Sequence, residues 1–247
     1  MKEEKYYSYN ELIRNKEYDL ALNLLNQNYK KYNDNKYLVK IAEVYKLQNK
    51  NNYALKYLLK CYKKSPDSTL AGQIAESYFQ LGKFKKAVKY YQDVIDFEGI
   101  SSNNIYNLAC SYHYDGNYTE AYKGYINALS IDSENLKAIN NLGCLYYETK
   151  NYKEAFETFN ASINFVRQNP EAYYYLGILY REFINDIELS ILYLKQAIWL
   201  DSNHFETYTE LLKSYQKENN IDEIEKIKKE ISQKFPNEAK KIKAIIY

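Results

Sequence analysis

The chain has 247 residues, with 34 Lys and Arg against 32 Asp and Glu, so a formal charge of +2 creates no global field to attract nucleic acid or an anionic membrane. Seven Gly and three Pro punctuate long stretches of Leu, Ile, Ala, Lys, Glu and Tyr that lack strand-like alternation, a composition that reads as helices joined by short turns. No stretch approaches the apolar length of a membrane span, Met1-Lys2-Glu3-Glu4-Lys5 begins no secretory signal, and Cys61, Cys110 and Cys144 are too few for a disulfide framework. A reduced, cytoplasmic protein is expected.

The first pair of helices is expected over residues 2–34. Tyr9 and Asn28 stand where later units carry small residues, while Tyr18, Ala21 and Leu25 mark the second helix. Regularity begins in unit 35–67, with Ile41-Ala42 and Tyr45, the turn Asn49-Lys50-Asn51, then Ala54 and Cys61. Unit 68–101 repeats this as Ile74-Ala75, Tyr78, Gly82-Lys83, Ala87 and Val94, and unit 102–135 as Leu108-Ala109, Tyr112, Gly116-Asn117, Ala121 and Ala128. Unit 136–169 carries Leu142-Gly143, Tyr146, Lys150-Asn151, Ala155 and Ser162. Unit 170–204 carries Leu176-Gly177, Tyr180, Asn185-Asp186, Ser190 and Ala197, with an extra residue near Phe183-Ile184 that leaves the register of Ser190 open. The last unit, 205–238, has Leu212, Ile224 and Ile231 at the small positions, as suits an end without a neighbour. Ala239, Ile242 and Ile246 then predict a short amphipathic capping helix over 239–247.

Tyr45, Tyr78, Tyr112, Tyr146, Tyr180 and Tyr215 are thus separated by 33, 34, 34, 34 and 35 residues, and self-similarity at such a period marks a solenoid. Large apolar, small and tyrosine residues recur on one helical face, and the small columns let helices approach closely. The 31 tyrosines could suggest aromatic recognition, but AT-rich coding enriches Tyr, Asn, Lys and Ile alike, so only the positions of the tyrosines are informative. The pattern resembles the tetratricopeptide repeat family, best in the fifth unit with Ile139, Leu142-Gly143, Tyr146, Ala155 and Phe159, and also in Tyr173, Leu176-Gly177 and Tyr180, Ala87 with Tyr91, and Ala121 with Tyr125. The family's proline at the end of each second helix is kept only as Pro66 and Pro236, with Pro170 displaced. The resemblance implies an all-α, right-handed superhelical solenoid of antiparallel helix pairs, running as one domain over 1–247. It also implies a non-catalytic scaffold or adaptor that binds an extended peptide or helix in a concave groove lined by the first helices.

On that geometry the groove stripe is Glu76 and Phe79, then Asn103, Tyr106, Cys110 and His113, then Lys137, Asn140, Cys144 and Tyr147, then Glu171, Tyr174, Ile178 and Arg181. Asn107 and Asn141 hold equivalent places in adjacent units, and a side-chain amide both donates to and accepts from a peptide backbone. Gln73 and Tyr175 occupy the flanking rungs. The expected contact set is Tyr106, Asn107, His113, Lys137, Asn140, Asn141, Tyr147, Tyr174 and Arg181. Some relatives clamp the acidic tails of heat-shock chaperones with Lys and Asn, then Asn, then Lys and Arg on three first helices. Here Gly72 and Glu76 replace the first pair and Asn141 the Arg, so chaperone tails are not expected as partners.

Cys110 and His113 lie one turn apart and Cys144 repeats the Cys110 position, but adjacent first helices are about 10 Å apart and no fourth ligand is evident, so no metal is expected. No Gly-rich phosphate loop, HExxH helix or paired CxxC occurs, and neither catalysis nor a cofactor is expected. His204 reads as a loop residue and Trp199 as part of the core. Lys228, Lys229, Lys234, Lys240 and Lys241 form the basic concentration between Lys226 and Lys243, which supplies an alternative function as an RNA- or anionic-membrane-surface adaptor.

Overall fold

Side chains with a short polar arm start the helices. Asp34, Asp67, Ser101, Asn135 and Asn169 each accept a hydrogen bond from a first-turn backbone N–H, satisfying a donor that has no partner inside the helix. These caps recur at the spacing of the tyrosines. A computed structural model describes residues 8–239, and the helix expected over 239–247 lies outside them beyond Ala239. The described residues form an all-α fold of fourteen helices.

The chain divides into two compact units, Met1–Ala128 and Leu129–Tyr247. The first contains α1 (Tyr9–Arg14), α2 (Tyr18–Tyr32), α3 (Asn35–Leu47), α4 (Asn51–Lys64), α5 (Ser68–Gln80), α6 (Phe84–Glu98), α7 (Ser102–Tyr114) and most of α8 (Tyr118–Ile131). From α1 to α7 each helix packs on its successor. Leu25, Leu38, Ile41, Leu58 and Ile74 are fully buried, each contributing about 2 kcal/mol through removal of apolar surface from water.

The second unit contains α9 (Leu136–Glu148), α10 (Tyr152–Phe165), α11 (Pro170–Leu179), α12 (Ile187–Leu200), α13 (Phe205–Glu218) and α14 (Ile221–Lys234). Here too successive helices pack, and α9 also touches α11. Phe159, Leu176, Leu179, Leu194, Tyr208 and Leu211 fill its interior. No helix among the described residues is long and apolar enough to cross a membrane.

The small columns are buried throughout, Ala42, Ala54, Ala75, Ala87, Ala121, Ala155 and Ser190 completely. Their reason is spatial. A Cβ placed on Gly177 would stand 2.5 Å from Leu194 Cγ and 3.2 Å from the Ser190 carbonyl oxygen, so α11 and α12 touch where any side chain would separate them.

The tyrosine ladder serves the turns as well as the core. The carbonyls of Tyr45, Tyr78, Tyr112, Tyr146 and Tyr215 each accept the N–H of the residue five positions on, in turns where Asn49, Gly82, Gly116, Lys150 and Asn219 adopt left-handed backbone. That arrangement satisfies helix-end carbonyls. The sixth unit differs by one residue. Tyr180–Ile184 forms a π-helical turn, Asn185 is left-handed, and the N–H donated to the Tyr180 carbonyl is that of Asp186, six positions on. The extra residue is absorbed there as a wider helical turn, which restores Ser190 to the buried small column.

Candidate functional site

In the first unit, α5, α6 and α7 border an open groove lined by Gly72, Gln73, Glu76, Tyr91, Asn104 and Asn107 among others. Asn107 is half-buried, and burial pushes the Tyr91 phenol up to about 12. The groove therefore presents amides, a phenol and carboxylates. Tyr106, also half-buried, has its ring centroid 6.2 Å from that of Tyr125.

His113, expected to face a ligand, is instead 8% exposed. Its Nδ1 lies 3.1 Å from the Tyr125 hydroxyl, which also donates to Cys110 Sγ over 3.6 Å. The helical stripe that was expected to line a groove therefore turns in part toward its own second helix.

In the second unit, Lys137 is exposed, and Asn141, Tyr147 and Tyr174 are half-buried. Tyr147 packs against Tyr175 with ring centroids 5.4 Å apart, and Tyr175 stacks on Phe159 at 4.9 Å. Tyr174 sets its ring edge-on to Tyr175 at 5.0 Å and to His204 at 5.2 Å. These rings border a cavity of about 240 Å³ shared by α11, the end of α12 and the start of α13.

Asn140 is 7% exposed and forms a reciprocal amide pair with Asn169. Its Nδ2 donates to Asn169 Oδ1 over 3.2 Å, and its Oδ1 accepts from Asn169 Nδ2 over 2.8 Å. The same Nδ2 donates to Glu171 Oε2 over 2.7 Å, while Ser162 Oγ donates to Asn140 Oδ1 over 3.2 Å. Asn140 thus joins α9 to the start of α11 and orients Glu171. Asn169 was missed in the sequence, although a cap residue followed by Pro170 at the first helical position is its recognisable signal.

Arg181 is 3% exposed in the π-turn. It donates to the Glu210 carboxylate, to the Glu210 carbonyl oxygen over 2.8 Å, to Ser214 Oγ over 3.1 Å and to Glu182 Oε1 over 2.6 Å. Burial opposes its charge, but the hydrogen bonds to Glu182 and Glu210 outweigh this and hold its pKa above the ordinary value. The hydrogen bond from Arg181 keeps the Glu182 carboxyl below its usual range. Sequence spacing placed Arg181 on the right helix but could not show that Glu210 waits on α13.

Cys144 is buried, and that burial raises its thiol to about 12, so it is a poor nucleophile and metal ligand near neutrality. Among the described residues no group of three His, Cys, Asp or Glu side chains is placed to hold a metal ion. His204 begins α13 and its Nδ1 lies 2.7 Å from Thr207 Oγ1. Trp199, expected in the core, is 74% exposed on α12, because Leu194, Ala197 and Ile191 occupy the packing face of that helix. In the basic C-terminal stretch, Lys226 pairs with Glu223, Lys228 with Glu225 over 2.8 Å, and Lys234 lies over the Tyr208 ring. Lys240 and Lys241 lie outside the described residues.

Residues 37–68, 69–98 and 136–165 match family models described as tetratricopeptide repeat. No curated protein matches the sequence. Among solved structures, the C-terminal part of a TPR repeat-containing protein from Cytophaga hutchinsonii is 17% identical, with TM-score 0.65, the match covering 97% of this chain and 98% of that one. The APC/C hetero-tetramer Cut9-Hcn1 gives 17% identity and TM-score 0.70, covering 97% of this chain and 48% of that one. A third, pilF of Pseudomonas aeruginosa, gives 15% identity and TM-score 0.67, covering 85% of this chain and 96% of that one. At these identities the likeness is one of fold.

Proposed function

We propose that this chain, a tetratricopeptide-repeat protein, is a non-catalytic scaffold of the cytoplasm that binds protein segments along its first helices. The observation that carries the reading is the partition of side chains on those helices. The small and apolar columns are buried, whereas Asn107 with Gln73 in the first unit, and Tyr174 with Tyr175 in the second, line open concavities. An amide beside a phenol suits a peptide backbone, which needs donor and acceptor together, and the half-buried rings supply apolar contact at small entropic cost.

The proposed contact set is correspondingly reduced to Tyr106, Asn107, Lys137, Asn141, Tyr147 and Tyr174. His113, Asn140 and Arg181 support it from within through Tyr125, Asn169 and Glu210. Catalysis finds no support in the buried thiols or in the paired histidine. The lysines of α14 are in part balanced by glutamates of the same helix, which weighs against an RNA or membrane surface there.

Selection of binders from a random peptide library on the full chain, followed by Asn107→Ala and Tyr174→Ala, tests this. Each variant is expected to weaken peptides of its own concavity by about fivefold, the worth of roughly one hydrogen bond or ring contact. Binders indifferent to both variants, or crosslinked to the second helices, would refute the assignment.

A further inference from the structure

We propose that the cavity between α11, the end of α12 and the start of α13 receives the guanidinium of an arginine side chain on a bound protein segment. This rests on the scaffold reading above and specifies one residue of its partner. The walls combine three rings with two carboxylates: Tyr174, Tyr175 and His204, with Glu171 and Asp201. None of the side chains lining the cavity is a lysine or arginine.

Each carboxylate is held in place by the fold. Glu171 is exposed at the first turn of α11, and Asn140, itself buried and locked to Asn169, donates to its Oε2 over 2.7 Å. Asp201 ends α12, and its Oδ1 accepts the Asn203 N–H over 2.9 Å. Glu206 adds negative charge beside His204, with an oxygen 3.7 Å from Nε2. The nearby Arg181 is committed to Glu182 and Glu210 and does not offset this field.

The rings select among cations. Tyr174 meets Tyr175 and His204 edge-on, and burial raises the pKa of its phenol further above its ordinary value. A guanidinium is flat, stacks on an aromatic face and donates along two edges to carboxylates, whereas an ammonium is a compact, strongly hydrated charge without that planar fork. A volume of about 240 Å³ accommodates the guanidinium and the end of its aliphatic stem. The N-terminus of α11 would ordinarily attract an anion, but Glu171 already stands in its first turn.

The test uses the full chain labelled with carbon-13 in its tyrosine rings and titrated with N-acetyl-argininamide, N-acetyl-lysinamide and the neutral isostere N-acetyl-citrullinamide. Tyr174→Phe identifies the Tyr174 signal. The argininamide is expected to shift the Tyr174 and Tyr175 signals saturably with a Kd on the order of 1–10 mM, and the other two at least about tenfold more weakly. Glu171→Gln with Asp201→Asn, verified as helical by circular dichroism, is expected to weaken argininamide by roughly tenfold. Absence of a saturable shift, equal response to citrullinamide or lysinamide, or indifference to the double variant overturns the inference. Library peptides that bind the first helices equally well with or without arginine would overturn it while leaving the scaffold reading intact. A chain that selects no peptide at all removes the scaffold reading itself.

Discussion

Arg181 and Glu210 are both largely buried, and Lys213 stands 2.6 Å from the second Glu210 oxygen. Removing the guanidinium leaves the Glu210 carboxylate with a partly exposed lysine and removes one of the hydrogen bonds that Ser214 Oγ makes. Arg181→Ala is therefore expected to lower unfolding free energy by about 3 kcal/mol in urea titrations. Arg181→Met combined with Glu210→Leu is expected to recover most of that loss, because the desolvation cost of both charges disappears with their attraction. A loss below about 0.5 kcal/mol for Arg181→Ala would show that the pair contributes nothing net. The same residue measures what the sequence withheld. A 34-residue spacing put Arg181 on a groove stripe, but the choice between solvent and a carboxylate on α13 depends on how neighbouring first helices meet. Asn140 turns inward for the same reason, to Asn169 at the start of the next first helix, whereas His113 turns to Tyr125 on the second helix of its own pair.

Among elements, the π-turn at Tyr180–Ile184 marks an insertion that the sequence locates by arithmetic alone, as the single spacing of 35 between Tyr180 and Tyr215. Its form was not legible, since one extra residue can enter a loop or widen a helix. Two structural facts decided: Asp186 caps α12 and Ser190 lies in a column with no room for displacement. Deleting Phe183, which is exposed, is expected to convert the turn to α-helix and restore the five-residue hydrogen bond made by the other tyrosines. The variant should keep its helical circular dichroism and lose no more than about 1 kcal/mol. Loss of cooperative unfolding would show that the wide turn is required to place Arg181.

The many half-buried phenols bear on the molecule as a whole. Tyr62, Tyr91 and Tyr180 ionise near 10.0 when free, and burial first of all pushes each up to about 12 in the folded protein. Above about pH 10 the unfolded chain gives up protons that the folded one retains. The stability due to neutral phenols is complete below that pH and falls as pH rises toward about 12. The urea midpoint is thus expected to fall between about pH 10 and pH 12, with phenolate absorbance lagging in the folded state until unfolding releases it. A midpoint constant across that interval would mean that the tyrosines titrate freely.

The sequence by itself determined the all-α repeat fold, because packing helix pairs needs small and large side chains at fixed intervals, and that requirement is local and recurs in every unit. It also determined the turns, where asparagine and glycine tolerate the left-handed backbone. Tertiary structure decided which polar residues are buried against partners and which border open concavities. Side chains of the groove-side stripes differ in what their surroundings offer them: Asn140 meets an amide and Arg181 a carboxylate, while Asn107 and Tyr174 border open concavities. It also sent Trp199 outward, since the neighbouring columns of α12 already filled the contact with smaller side chains. Hydrophobic periodicity records burial of a face; partnership between polar groups far apart in the chain exists only once the helices are packed.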